Sequence, residues 1–314
     1  MLAKIFKRIL YVVLGIFLLL NIMAAFHSHK FTHFYAGIPK AKKPEEMTAL
    51  EKTSAIFFGN KFSKSKVVDS FTIPHQTINL VTADSMHLES WYAKADSNVK
   101  GTVLMFHGHG SSKSGIIAEA TAFHQMGWNV LVTDFRAHGN SEGEVCTIGA
   151  NEAKDVKAVY DYARALGEKN IVLYGISLGA STILTAVDHE GIKPEKVILE
   201  MPFGTLVDGV KGRLRMMHVP EQPMSTLLAF WGGAEQGFWA FDHRPQDFAS
   251  KLNCPVLLQW GLNDPRVTQT ETNAIFKNLA SHDKLLMVYA RSGHQSLLKN
   301  EQAKWMSTVG NFLH

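Results

Sequence analysis

The stretch Asn170-Ile171-Val172-Leu173-Tyr174-Gly175-Ile176-Ser177-Leu178-Gly179-Ala180-Ser181 decides the fold. Residues 170–174 are almost continuously apolar, as expected of a strand buried on both faces. Gly175–Gly179 then matches G-x-S-x-G, and a small, apolar helical run follows from Leu178 to about Val187. A strand that turns this sharply into a helix brings the two too close for side chains, so the turn needs glycine at both ends. The serine between them is left exposed beyond the carboxyl end of its strand. The five-residue pattern is common by itself; its position between a buried strand and a helix makes it informative.

Outward from this turn the same alternation recurs. Thr102–Phe106, Trp128–Thr133, Lys196–Leu199, Val256–Trp260 and Leu285–Tyr289 read as buried strands. Helices are expected around Ile116–Met126, Ala150–Leu166 and Ala303–Leu313. Short apolar strands alternating with helices predict an α/β fold, with a mostly parallel central sheet flanked by helices. Ser85–Lys94 alternates and is expected as an antiparallel edge strand. Phe203–Lys251 is too long for a crossover and is rich in Met, Phe and Trp, which predicts an inserted cap at about 203–251 within a domain spanning 66–314.

Composition bounds the alternatives. The 314 residues are 46% hydrophobic, 10% aromatic and 19% charged, which excludes a disordered chain, and two cysteines exclude a disulfide scaffold. Cys146 and Cys254 leave their pairing undetermined. The first 66 residues hold eleven Lys/Arg and three Glu, whereas the other 248 hold 21 basic and 25 acidic residues. The net positive charge therefore belongs to the N-terminus, and nucleic acid is not an expected partner. There, Lys4, Lys7 and Arg8 precede an apolar run, Ile9–Phe26, that as a helix spans about 27 Å. Met23-Ala24-Ala25-Phe26-His27 lacks a small-x-small cleavage site, so residues 1–30 are read as a retained single-pass anchor. Lys30, Lys40, Lys42 and Lys43 nearly balance the basic residues in front, and an exported body is expected because long domains translocate largely regardless of charge. Residues 31–65 form a juxtamembrane helical segment, with a helix starting at Pro44-Glu45-Glu46-Met47 and stopping at Gly59-Asn60. His27, His29 and His33 are read as interfacial residues, since no carboxylate or Cys accompanies them as a metal ligand.

Several residues that carry chemistry are expected at the carboxyl edge of the sheet. A serine hydroxyl needs a base, and among fifteen histidines His294 lies in a loop just after the last strand. Asp264, after the strand Val256–Trp260, is expected to orient that imidazole; Glu200, at the end of Lys196–Leu199, is its rival. Asp264 also reads as a turn carboxylate before Pro265. The loop His107-Gly108-His109-Gly110 offers the His109 backbone N–H, and Leu178 offers its own, as donors to an oxyanion. No metal site is expected from His107 and His109, which lack a third ligand. Arg136 and His138 are expected either to touch substrate or to brace their loop.

In this order His107–Gly110 (HGHG), Asp134–Gly143 (DFRAHGNSEG), Gly175–Gly179 (GISLG), Gly261–Val267 (GLNDPRV) and Ser292–His294 (SGH) resemble the alpha/beta-hydrolase superfamily over about 80–314. With the apolar N-terminus, the chain looks most like the membrane-anchored serine-hydrolase branch, the alpha/beta-hydrolase domain-containing proteins. The resemblance implies Ser177, Asp264 and His294 as a catalytic triad, the His109 and Leu178 amides as oxyanion hole, and no cofactor. Ser85 departs from the glycine many relatives carry there. The expected activity is cleavage of acyl esters or thioesters through an acyl-enzyme, on a small-molecule substrate that the cap's aromatics suggest is a lipid. An amide or peptide hydrolase with the same triad is the alternative, with Glu221 or Glu235 holding a substrate amine; a non-catalytic binding protein on this fold is the other. The sequence does not set the oligomeric state.

Overall fold

The computed structural model describes residues 1–39, 46–68 and 71–314. Eight strands form its central sheet: β1 (Gln76–Val81), β2 (His87–Ala93), β3 (Thr102–Phe106), β4 (Asn129–Thr133), β5 (Ile171–Ile176), β6 (Lys196–Glu200), β7 (Val256–Gly261) and β8 (Lys284–Tyr289). Across the sheet they run β8-β7-β6-β5-β3-β4-β2-β1. All neighbours among β3 to β8 are parallel, and β2 is antiparallel to both β1 and β4. The expected edge strand is therefore second from the edge. β1 takes the edge, and its mostly exposed residues gave no clear alternation in the sequence. In the tight turn between β1 and β2, Ser85 has φ 65°, a left-handed conformation that glycine adopts more freely.

The pleat of the strands explains the two-layered core. Leu104, Leu131, Leu173, Leu199 and Leu258 face one cluster, with helices α4 (Glu152–Ala165) and α5 (Leu178–His189). Their neighbours Val103, Val130, Val172, Ile198 and Leu257 face the other, beside Phe123 of α3 (Ile117–Gln125) and Trp305 of the C-terminal helix. Each such side chain, once buried, stabilises the fold by about 1.5–3 kcal/mol relative to exposure. Strand order reverses between β3 and β5, and the crevice beyond their carboxyl ends is where sheets of this kind bind ligands.

Between β6 and β7 the chain forms α6 (Leu206–Met216), α7 (Met224–Gln236) and several short turns. Leu206, Val210, Leu214, Ala229 and Ala240 make a small core of their own. Residues 2–32 form one helix, α1 (Leu2–Thr32), with an 18-residue window of mean hydropathy 2.6 that is long and apolar enough to cross a membrane. Its last turns pack on α7. Ala24 is fully buried, the Trp231 indole donates to Asn21 Oδ1 at 3.2 Å, and His29 Nδ1 donates to Glu235. Close approach depends on Gly232, where a Cβ would meet Ser28 Oγ at 3.3 Å. Helix α2 (Ala49–Phe58) begins at a Thr48–Glu51 capping box, later than the expected start; Pro44 and Glu45 lie outside the described residues. Gly59, with φ 72°, ends it as expected.

Candidate active site

The turn between β5 and α5 has the tightness its glycines imply. A Cβ on Gly179 would lie 2.2 Å from the Phe106 carbonyl oxygen, and one on Gly175 would lie 2.5 Å from the Gly179 carbonyl carbon. Ser177 between them has φ 52° and ψ −109°, a strained position for a residue with a side chain. Its amide donates to the Glu200 carbonyl at 2.7 Å, which ties the turn to the end of β6.

Two further loops are zipped together beside it. Asn263 N–H donates to the Ser292 carbonyl at 3.0 Å and Leu262 N–H to the Tyr289 carbonyl at 2.8 Å. Gly261 permits this, since a Cβ there would lie 2.5 Å from the Ser292 carbonyl oxygen. Glu301, from the other side, accepts from Arg291 N–H and Ser292 Oγ at 2.9 Å each. The result is a continuous chain of hydrogen bonds: Asp264 Oδ2 to His294 Nδ1 at 2.7 Å, and His294 Nε2 to Ser177 Oγ at 2.9 Å. The other oxygen of Asp264 accepts from the Arg266 and Val267 amides at 2.7 and 3.0 Å. Asp264 thus serves its own turn and the imidazole together, and its side chain is fully buried.

Glu200 does not join this chain. Its carboxyl accepts from the Trp305 indole at 2.6 Å and from Gln259 at 3.2 Å, and burial with Glu119 nearby pushes its pKa up to about 8. It is a neutral group of the core beneath the turn.

His109 and Leu178 line one cavity with Ser177 and His294. Gly108 passes close over the serine, with space for a Cβ at 3.7 Å from Ser177 Cβ. Among the described residues neither the His109 nor the Leu178 amide has an acceptor, so both N–H groups are free to serve a ligand. Neighbouring side chains hold the loop in shape. His138 Nε2 accepts from Gly110 N–H at 3.0 Å, and His107 Nε2 accepts from Phe135 N–H at 3.2 Å. Burial lowers their pKa values to about 3 and about 4, keeping both rings neutral and able to accept. Arg136 is held by Asp84 and Asp155. Of the two roles open to Arg136 and His138, bracing is the one their contacts fill.

Sequence reasoning missed Lys113, fully buried and paired with Asp134 and with Glu89 at 2.8 Å, which pins the start of the helical turn after His109 to the loop after β4. It also missed Arg213 and Arg266, both in the wall of the serine's cavity. Nothing local marks any of the three, because their surroundings come from distant segments. Cys146 and Cys254 are both free thiols. Among the described residues, His29, His33 and Glu235 form a group whose ligand atoms, within 4.8 Å of one another, are close enough to share a metal ion. Those histidine nitrogens already have partners, His29 Nδ1 in Glu235 and His33 Nδ1 in the His29 carbonyl at 2.7 Å.

Sheet order, strained serine turn and converging loops define the alpha/beta-hydrolase fold. Residues 97–228 match the family described as Serine aminopeptidase, S33. The Bacillus subtilis protein YqkD is 23% identical over 251 residues, covering 79% of this chain and 82% of that one. A Saccharomyces cerevisiae protein described as the membrane protein YNL320W is 28% identical over 136 residues, 43% of this chain and 48% of its own. The esterase Pf2001 of Pyrococcus furiosus shares the fold with a TM-score of 0.66 at 23% identity, over 80% of this chain and 96% of that structure.

Proposed function

We propose that this protein is a membrane-anchored serine hydrolase that cleaves acyl esters or thioesters through an acyl-enzyme. The observation that carries the reading is an imidazole hydrogen-bonded at both ends, to Asp264 at 2.7 Å and to Ser177 Oγ at 2.9 Å. In this reading His294 Nε2 takes the serine proton as Oγ attacks the acyl carbon. Asp264 keeps Nδ1 protonated and stabilises the imidazolium. The negative oxygen of the tetrahedral intermediate is held by the His109 and Leu178 amides. His294 then protonates the leaving alcohol or thiol, and water activated by the same nitrogen releases the acid.

Two observations favour an ester over an aminoacyl amide. Arg213 and Arg266 in the cavity wall repel a substrate ammonium. Glu221 and Glu235, the acids available to hold an amine, are occupied by Arg215 at 2.9 Å and by His29. A lipophilic acyl group fits the apolar cavity between the cap and α1, lined by Leu206, Val210, Leu214, Leu228 and Phe238. Helix α1 is read as a single-pass anchor with the catalytic domain on the exported side; protease added to intact spheroplasts is expected to digest that domain, and full protection reverses the orientation.

p-Nitrophenyl esters from two to sixteen carbons, assayed beside aminoacyl p-nitroanilides, test the reading. Turnover of the longer esters, with little of the anilides, is expected. Faster anilide cleavage would move the protein to the amidases, and a preference for acetate would remove the lipid.

A further inference from the structure

The two fully enclosed cations among the described residues come with carboxylates. Lys113 has Asp134 and Glu89, and Arg136 has Asp84 and Asp155. Arg215 on α6 has Glu221 at 2.9 Å and Glu271 at 3.6 Å. Two residues along the same helix lies on its opposite face, and there Arg213 breaks the rule. Its guanidinium lies over the rings of Phe31 and Phe62, 5.3 and 5.5 Å from their centroids, and among the described residues it has no carboxylate and no hydrogen-bond acceptor. Arg266, two residues after Asp264, is alike: its backbone is fully used, while its Nε is buried with no partner. Burial, and then the nearby Arg266 guanidinium, lower the pKa of Arg213. A pair of unneutralised cations held close together in a largely buried wall is costly unless a ligand supplies the anion.

Their position says which ligand. Both lie in the wall of the cavity that holds Ser177 and His294. That cavity meets the larger one between the cap and α1 at Phe31, Ile148 and Arg213. The larger cavity has a volume of about 150 Å³ and opens to solvent, and its lining is mainly apolar. An apolar chamber and a cationic wall therefore meet at the nucleophile, in the order of an amphiphile: chain, ester, anion.

Resting on the hydrolase reading above, we propose that Arg213 and Arg266 form an anion subsite beside Ser177, and that the substrate class is a long-chain acyl ester whose alcohol part carries a phosphate or carboxylate. The guanidinium forks bind the anion, the ester carbonyl faces the His109 and Leu178 amides, and the acyl chain lies in the chamber against α1.

The test uses the full-length protein in uncharged detergent micelles with three palmitate esters: 1-palmitoylglycerol, its 3-phosphate, and palmitoyl glyceric acid. At least one anionic ester is expected to exceed the neutral one in kcat/KM by roughly ten- to hundredfold, the range of a charge-assisted hydrogen bond. The phosphate and carboxylate arms separate the two anion chemistries. Arg213→Gln and Arg266→Gln are each expected to bring the anionic-to-neutral ratio towards one, with Arg213→Lys keeping part of it. On the unmodified protein, dodecyl phosphate is expected to inhibit at least about tenfold more tightly than dodecanol. Equal inhibition by the two, or a charge preference that survives in both glutamine variants, would overturn the subsite. Fluorophosphonate labelling of Ser177 separates the two readings: a labelled enzyme without charge preference loses the anion subsite alone, and an unlabelled one without turnover loses the hydrolase reading as well.

Discussion

Ser177 is held at φ 52° by its surroundings rather than by its own preference, a strain of about 1–3 kcal/mol. The constraint is steric, and Gly179→Ala, which puts a methyl 2.2 Å from the Phe106 carbonyl, is expected to lower stability by about 1–3 kcal/mol in thermal unfolding. Asp264→Asn is expected to lower kcat far more than Glu200→Gln, because only Asp264 touches His294; the reverse ranking in steady-state kinetics would contradict the assignment. Glu200 has a different pH signature. Its folded pKa of about 8 lies above the ordinary carboxyl value of 4.5, so its contribution to stability is complete below about 4.5 and is lost as pH rises through 8. Relative to Glu200→Gln, the unmodified protein should therefore lose melting temperature progressively over that window. Lys113→Ala leaves Asp134 buried without its cation and is expected to cost about 3–5 kcal/mol by denaturant unfolding. That Ser177, Asp264 and His294 meet at one edge of the sheet was legible because each follows a recognisable strand. Lys113, Arg213 and Arg266 were not, because their significance lies in which carboxylates are near, and those lie far along the chain or are missing.

At the scale of elements, strands buried on both faces were the easiest to read, and β3 runs from Thr102 to Phe106 as its apolar run implies. Elements with one face in solvent were harder. β1 was overlooked, and β2 was placed at the edge it does not occupy. The capping box at Thr48 and Glu51 marks a start for α2 that Pro44 and its acidic neighbours obscured. How the cap would meet the N-terminal helix was not legible at all, since Asn21 and Trp231, or His29 and Glu235, are about two hundred positions apart. That contact has a testable consequence. Ala24 is fully buried against α7, so Ala24→Phe is expected to separate the helices, destabilise the cap by about 1–3 kcal/mol and speed limited proteolysis within 206–251. An unchanged digestion pattern would mean that α1 and α7 do not pack.

For the whole molecule, a helix long and apolar enough to cross a membrane lines, with its C-terminal turns, the chamber beside Ser177. On the proposed anchoring, membrane attachment and substrate access would be served by the same element. All of this depends on Ser177 being a nucleophile activated by His294. Intact-mass spectrometry after treatment with a fluorophosphonate measures that directly. One adduct per chain is predicted, mapped to Ser177, absent from Ser177→Ala and slowed at least about a thousandfold in His294→Ala. An unmodified protein, or an adduct that persists in Ser177→Ala, would contradict the account.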